Sequence, residues 1–254
     1  MENKLISDYI KLLDQIFLKI KRKIGNGKVA VLASGGIDSS IITYFVKKYF
    51  NKSFLFSVGT ADNADFYFVD LLNKFIKNPL KKIFVSESEV NKAKKIVMPI
   101  LEKNNLPDDI TQISLAISFF LVLKEVKKQK IDYVFTGQGP DILLAGYHKY
   151  KNIPLDQLNT QIKKDLSLLE IDKKRDQTIA NHFKIKLINP YLKEDFINFS
   201  LSVPAKFKIN KIDGEFYEKY ILRKVGERLK LPKEIILRHK KALQYSTGIR
   251  KILS

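Results

Sequence analysis

The chain has 254 residues, 45% of them hydrophobic, which is enough to bury a core in one large or two small domains. It contains no cysteine, so disulfides, thiolate zinc sites and cysteine nucleophiles are excluded. The 46 Lys and Arg residues, against 27 Asp and Glu, give a formal charge of +19. That charge suits either a polyanionic partner such as RNA or a lysine-rich proteome of a thermophilic kind. The lysines are spread along the whole chain, which favours the second interpretation.

The N-terminal segment has the apolar spacing of an amphipathic helix, broken by charges, and differs from the apolar region of a signal peptide. No apolar run approaches the roughly 18 residues that a membrane span needs. The three histidines are scattered without ligand spacing, so a histidine-built metal site is not expected. We expect a cytosolic (cytoplasmic) protein with no membrane association.

Four short apolar runs predict buried parallel strands: Lys28–Ala33, Ser53–Val58, Lys81–Val85 and Ile131–Thr136. Segments with a helical period lie between them: Ile37–Phe50, Ala64–Lys77, Ser88–Asn105 and Thr111–Gln129. This alternation predicts an α/β fold with a doubly wound parallel sheet.

The pattern changes after residue 150, where only helices are predicted. These helices cover Leu155–Leu169, Ile171–Phe183, Lys193–Ser202, Gly214–Lys230 and Pro232–Lys240, with a turn at Asn189-Pro190. The sequence therefore predicts an α/β domain over residues 1–150 and an all-helical C-terminal part over residues 151–254.

A glycine-rich loop joins the first predicted strand to the helix that follows it. Residues 34–40 read Ser-Gly-Gly-Ile-Asp-Ser-Ser. Gly35 and Gly36 let the backbone approach an anion closely, and the free N–H groups of the helix start face the same point. Asp38 adds a carboxylate that suits Mg²⁺. A purely structural alternative is a glycine turn in which Asp38 caps the helix. The loop also carries three hydroxyl donors, Ser34, Ser39 and Ser40.

This loop lacks both the Gly-Lys-Ser/Thr ending of a P-loop and the Gly-x-Gly-x-x-Gly of a dinucleotide site. It resembles the PP-loop of the N-type ATP pyrophosphatases, which form an adenylated intermediate and release pyrophosphate. The resemblance implies that the chain binds ATP at residues 34–39 and cleaves it between the α- and β-phosphates.

Two further blocks indicate the family within that superfamily. Residues 133–147 place Thr-Gly-Gln-Gly-Pro-Asp after a strand and end in Gly-Tyr, similar to the Ser-Gly-Glu-Gly-x-Asp-Glu…Gly-Gly-Tyr block of asparagine synthetases. Residues 231–245 resemble the Leu-Pro-x-x-Ile/Leu and Arg-x-Lys-x-Ala signatures of the C-terminal synthetase domain, in an archaeal form. Weaker matches follow the family order at residues 175–176, 189–192, 199–204 and 220–223.

The resemblance implies roles for individual residues. Leu32 and Val58 would flank the adenine at the crevice of the sheet, and Thr136 and Gly137 would contact the nucleotide. Leu32 and Val58 could equally be residues of the hydrophobic core, and in either case packing is part of their role.

The resemblance also implies a metal site and a catalytic lysine. Asp38 and Asp141 would hold Mg²⁺ on the pyrophosphate, and Lys240 would stabilise charge on the phosphates and on the amide-forming intermediate. Simpler interpretations stay open, with Asp141 as a helix cap and Lys240 as one more solvated lysine.

Two positions depart from the family pattern. Gln138 stands where the family has a glutamate that acts near the acyl-adenylate, and Ile142 replaces an acidic residue. Glutamine cannot accept a proton at neutral pH, so the identity of the acid substrate stays open. The N-terminal cysteine of a glutaminase domain is also missing, which predicts free ammonia or a separate glutaminase subunit as the nitrogen source.

We therefore expect a stand-alone, ammonia-dependent carbon–nitrogen ligase that adenylates a carboxylate, aspartate or a related acid, with Mg·ATP. Two alternatives stay open. A PP-loop enzyme that modifies tRNA would suit the +19 charge, although no appended RNA-binding motif is visible. A non-catalytic ATP-binding regulatory subunit would suit the changes at Gln138 and Ile142.

Overall fold

The central element is a five-stranded, all-parallel sheet in the order β3-β2-β1-β4-β5. The computed structural model describes residues 1–212, 214–239 and 246–254 of the chain. The strands are β1 Val29–Leu32, β2 Ser53–Gly59, β3 Leu80–Phe84, β4 Tyr133–Phe135 and β5 Lys186–Ile188. The order reverses between β1 and β4, so the carboxyl ends of these two strands form the switch point where such sheets bind ligands.

The helices of the N-terminal half agree with the predicted ones to within a few residues. They are α1 Glu2–Ile24, α2 Ile37–Tyr49, α3 Asp65–Ile76, α4 Glu87–Lys103, α5 Ile110–Lys128 and α6 Pro140–Leu143. The predicted fold class is confirmed, because these helices alternate with parallel strands and lie on both faces of the sheet. None of the helices in the described ranges combines the length and apolar character that a membrane span needs.

The C-terminal half is mainly helical but contains three strands that the sequence analysis did not predict. Its helices are α7 Leu155–Lys164, α8 Leu166–His182, α9 Glu194–Ser202, α10 Tyr220–Arg228, α11 Lys233–Ile236 and α12 Ile249–Leu253. Single 3₁₀ turns lie at His148–Asn152, Pro190–Leu192 and Ala205–Phe207. Besides β5, an antiparallel hairpin pairs β6 Ile209–Ile212 with β7 Glu215–Glu218.

Three helix predictions in this half are wrong. The predicted helix Pro232–Lys240 is the short α11, which ends at Ile236, where the backbone carbonyl accepts from the Arg223 side chain. The predicted helix Gly214–Lys230 is strand β7 followed by α10, because Lys219 takes a left-handed backbone with φ of 54° that a helix cannot contain. The break between α7 and α8 falls at Asp165 and not near residue 170. There the Asp165 carboxylate accepts hydrogen bonds from Tyr150 and Gln161, which fixes the turn.

Buried side chains form one large cluster on each face of the sheet. In β1 the side chains alternate, so that Val29 and Val31 enter one cluster and Ala30 enters the other. The first cluster joins α1, α2, α9 and α10, and the second joins α4, α5, α8 and α12. The first cluster thus contains residues from both predicted domains, and the division at residue 150 stays a prediction.

Lys208 is fully buried at the start of the β6–β7 hairpin. Its Nζ has no hydrogen-bond partner among the described residues. Burial, together with the neighbouring charge of Lys163, lowers the pKa of Lys208 to about 8. The charged form is therefore less favourable in the folded protein than in the unfolded chain.

Replacing Lys208 by methionine should stabilise the protein at pH 7. The penalty for a charged Lys208 is complete below pH 8, declines as the pH rises from 8 to 10.5, and is absent above that range. The expected gain at pH 7 is roughly 1–3 kcal/mol in the free energy of unfolding, and it should disappear by pH 10.5. Urea unfolding at several pH values measures it. An equal effect at pH 7 and pH 10.5 would contradict this account.

Candidate functional site

The loop between β1 and α2 is held in shape by its own serines. The Ser39 hydroxyl donates to the Gly36 carbonyl over 3.1 Å and accepts from the Ser34 backbone N–H over 3.2 Å. Gly35 has φ of +66°, and a Cβ there would meet the Phe68 backbone at 2.7 Å, so the position requires glycine. The N-cap residue of α2 is Gly36, which has no side chain to cap the N–H groups of the first turn. This helix start therefore presents the uncompensated N–H groups and positive dipole end that bind anions.

The end of β4 lies directly against this loop. A Cβ on Gly137 would come within 2.8 Å of the Ser39 backbone nitrogen, so the close approach depends on glycine. The Thr136 hydroxyl donates to Asn189 Oδ1 over 2.7 Å, and Asn189 Nδ2 donates to Gln138 Oε1 over 3.1 Å. Asn189 reaches this position because it directly follows β5, which pairs with β4.

A buried lysine stands between the two carboxylates that the sequence analysis singled out. Lys219 Nζ forms ion pairs with Asp38 and with Asp141, the latter over 2.7 Å. Burial acts to lower the pKa of Lys219, but the Asp141 and Asp38 carboxylates outweigh it and raise the pKa above its ordinary value. A Cβ on Gly146 would come within 2.1 Å of Lys219 Cε, which shows how tightly the side chain is enclosed.

These elements surround one cavity of about 600 Å³ at the carboxyl edge of the sheet. Its apolar part includes Phe119 and Val122 of α5, beside the strand ends of β1 and β2. Ten of the predicted site residues line it: Leu32, Ser34, Gly36, Asp38, Ser39, Val58, Thr136, Gly137, Gln138 and Asp141. The cavity thus combines an apolar wall with an anion-binding loop and two carboxylates.

Two predicted site residues do not line this cavity, and a third lies outside the described residues. Gly35 shapes the loop through its backbone, and the buried Ser40 hydroxyl donates to the Gly36 carbonyl over 2.9 Å. Lys240 lies outside the described residues, as do residues 241–245 of the same signature.

A second charged cluster lines the cavity away from the loop. The buried Arg175 guanidinium donates to Asp176 over 2.8 Å, to Asp172 over 2.7 Å and to Gln112 over 2.6 Å. Burial raises the pKa of the Asp176 carboxyl to about 6, although the Arg175 charge acts to lower it. Three acceptor groups thus surround Arg175. One of them, Asp172, is partly exposed and can also accept from a bound molecule.

Two arginines fasten the C-terminal segment to the loop. Arg238 donates to the Ser34 carbonyl over 2.8 Å, pairs with Asp65 and stacks over the Phe68 ring at 4.0 Å. Arg223 is buried and donates to the carbonyl groups of Ile236 and Arg238. The segment that leads to residue 240 is therefore fixed beside the loop as far as His239, which also lines the cavity.

Neither Lys219 nor the Arg175 cluster was among the site residues predicted from the sequence. A signal was present in both cases. Lys219 begins the Lys-x-x-Leu-Arg pattern of residues 219–223, and Arg175-Asp176 was noted only as a weak family match.

Comparison with known proteins shows the family of this chain. The family model for asparagine synthase matches residues 20–179 and 160–252. The chain belongs to the asparagine synthase family. The resemblance deduced from the sequence is thereby confirmed.

Two relatives in this family show the extent of the match. A Methanocaldococcus jannaschii protein, provisionally named glutamine-hydrolysing asparagine synthetase 1, is 26% identical over 92% of this chain and 48% of its own length. The glutamine-hydrolysing asparagine synthetase of Rattus norvegicus is 28% identical over 91% of this chain and 42% of its own length. The chain spans less than half the length of these relatives. Among solved structures, an NH₃-dependent NAD synthetase from Campylobacter jejuni matches 72% of this chain and 92% of its own, with a TM-score of 0.39 and 16% identity.

Replacing Lys219 by methionine should destabilise the protein. The change leaves the Asp38 and Asp141 carboxylates facing each other without their ammonium, and breaking a buried ion pair from one side costs about 3–5 kcal/mol. Added Mg²⁺ should restore part of this loss, because a divalent cation can replace the missing charge. Urea unfolding with and without Mg²⁺ measures both effects.

Lys127→Met serves as the control for this prediction, since Lys127 pairs with Asp132 on the surface, where both side chains are well exposed. Its unfolding free energy should change little and should not respond to Mg²⁺. Equal losses in the two variants would show that the Lys219 contacts do not stabilise the site.

Proposed function

We propose that this chain makes an amide from a carboxylic acid, ATP and ammonia, with aspartate or a related acid as the substrate. A carboxylate oxygen attacks the α-phosphorus of ATP, and the bond from that phosphorus to the β-phosphate bridge oxygen breaks, releasing pyrophosphate. The nitrogen of ammonia then attacks the acyl carbon of the adenylate. AMP leaves with the former carboxylate oxygen, and the nitrogen loses one proton to give the amide.

The observation that carries this proposal is the meeting of the loop and Lys219 in one cavity. The N–H groups at the start of α2 would hold the phosphates. The Lys219 ammonium lies between Asp38 and Asp141 at the same end of the cavity. Once these carboxylates hold an ion, the ammonium would help to balance the charge on the departing pyrophosphate. The apolar wall around Leu32 and Val58 suits an adenine ring.

The donor set of the cavity fits a magnesium ion that arrives with the nucleotide. Mg²⁺ prefers oxygen ligands and is usually held by one or two carboxylates together with phosphate oxygens. Asp38 and Asp141 supply two such carboxylates, and no group of three or more ligating residues is present in the described ranges. When bound, the ion would neutralise charge on the phosphates. Within the chain, Asp38 and Asp141 would hold it in place of their contact with Lys219.

The acid would bind between the loop and the Arg175 cluster, since holding it beside ATP makes the first step effectively intramolecular. Asp172 is partly exposed there and could accept from the ammonium group of an amino acid. The described site contains no cysteine nucleophile that could release ammonia from glutamine. The ammonia would therefore reach this site from outside these residues, either free in solution or released by a glutaminase such as a separate subunit.

Pyrophosphate release from Mg·ATP tests the proposal. We expect release that depends on the acid and that continues over many turnovers only with ammonium, measured with L-aspartate beside a panel of other carboxylic acids and without any acid. Release with a different acid would keep the reaction and change its substrate. Absence of release under every condition, with ATP still bound, would contradict the proposal. Tight tRNA binding with a steep salt dependence would then favour the RNA-modifying alternative, and its absence the regulatory one.

Asp38→Ala should abolish this pyrophosphate release. The variant would lack the carboxylate that pairs with Lys219 and that would hold the ion on the phosphates. The matched control is Asp132→Ala, which removes an exposed carboxylate on the surface and should leave the rate unchanged. Normal turnover by Asp38→Ala would place the site elsewhere.

A further inference from the structure

The residue that replaces the family's glutamate belongs to a closed ring of polar groups at the ends of β4 and β5. The Gln138 backbone N–H lies 3.5 Å from Thr136 Oγ1, whose hydroxyl donates to Asn189 Oδ1 over 2.7 Å. Asn189 Nδ2 then donates to Gln138 Oε1 over 3.1 Å. A backbone N–H can only donate, and each further hydrogen bond of the ring runs in the same direction, from donor to acceptor.

This ring uses the carbonyl end of the Gln138 side chain and leaves its amide nitrogen available. Gln138 Nε2 donates to no described residue, while the side chain is half-buried and lines the cavity. A carboxamide has an acceptor at one end and two N–H donors at the other. Since Asn189 engages the acceptor end, the donor end is the one available to a bound molecule. The opposite arrangement would require both amide groups to turn over together.

We propose that Gln138 is a hydrogen-bond donor to the acyl oxygen of the acid substrate, and that Asn189 is the residue that holds it in this orientation. The inference rests on the proposed function, which it deepens by naming how the acid is held. Gln138 would contact the carboxylate before adenylation. It would then contact the oxyanion that forms when ammonia attacks the acyl carbon.

The charge of the site supports a donor at this position. Asp38, Asp141, Asp172 and Asp176 already place carboxylates around the cavity. A glutamate at position 138 would add another, which would repel the acid's own carboxylate. A neutral amide avoids that repulsion and offers two N–H groups in its place. With no proton acceptor at position 138, the proton that ammonia loses would pass to water or to a second ammonia.

The orientation can be tested without any turnover, by NMR of the side-chain amides in protein labelled with ¹⁵N. The Gln138 NH₂ pair is assigned by its loss in Gln138→Glu. In Asn189→Asp the Asn189 donor becomes an acceptor, so Gln138 should turn over and its NH₂ signals should shift. Asn181→Asp is the matched control, because Asn181 is exposed and only accepts from Gln177. Unchanged Gln138 signals in Asn189→Asp would overturn the positioning role.

The donor role is tested by adding each ligand separately to the wild-type protein. The acid that supports pyrophosphate release, or L-aspartate if none does, should shift the Gln138 NH₂ signals when added with AMP. AMP alone should shift them less. Shifts caused by AMP alone, or by no acid of the panel, would overturn the inference.

Steady-state kinetics provide the third test, through separate KM values for the acid and for ATP. In Asn189→Asp and in Gln138→Glu the KM for the acid should rise roughly tenfold or more, the effect of losing one hydrogen bond to a charged oxygen. The KM for ATP and the Tm should change little, whereas a purely structural defect would alter all of them. In Gln138→Glu the KM for the acid should fall again as the pH is lowered, because a protonated glutamate donates. A Gln138→Glu enzyme with the wild-type KM for the acid would overturn the donor role.

These arms separate two kinds of failure. If wild-type protein releases no pyrophosphate with any acid, the proposed function fails, and the Asn189→Asp spectra still decide whether Asn189 orients Gln138. If pyrophosphate release is normal but the variants and spectra do not respond, the function stands and the inference about Gln138 fails.

Discussion

The site depends on one buried ammonium group held between two carboxylates. Asp38 lies in the first turn of α2, Asp141 lies in α6 after β4, and Lys219 lies at the left-handed residue between β7 and α10. Without the lysine, the two carboxylates would repel each other across a poorly solvated space. The contact therefore fixes the loop, the end of β4 and the C-terminal hairpin relative to one another, although Asp38 and Lys219 are 181 residues apart in sequence.

Strand β5 makes a second connection of the same kind. It is only three residues long and begins with a lysine, yet it adds Asn189 to the edge of the site beside Thr136. The side chain of Gln138 is then oriented by a residue from the other half of the chain. Both halves are thus needed to complete the cavity, whatever the division of the chain into domains.

The sequence predicted those parts of the structure that depend on local pattern. Strands β1, β2 and β4 are mostly buried apolar runs, and the loop at residues 34–40 combines glycines, hydroxyls and a carboxylate within a few positions. Strand β3 was also predicted to be buried, but it lies at the edge of the sheet and none of its five residues is buried. Lys219 was not predicted because its role depends on ion pairs with two carboxylates that are distant in sequence. A single residue with a left-handed backbone also leaves no periodic pattern in the sequence. The residues of β7 were predicted as part of a helix, because a strand of four residues is too short to show an alternating pattern beside the helix that follows it.

The distribution of charge explains why a strongly basic chain can still have an acidic site. Within the described residues, seven carboxylates line the cavity against four lysine or arginine side chains, each of which is already paired. The seven are Asp38, Asp65, Asp109, Asp141, Asp172, Asp176 and Glu218. The +19 of the whole chain therefore does not come from these lining residues. A nucleotide and a carboxylate that entered such a cavity would have to bring compensating charge with them, as Mg²⁺ bound to the phosphates would. The neutral side chain at position 138 would act in the same direction, because a bound acid would meet one repulsive charge fewer than with a glutamate there.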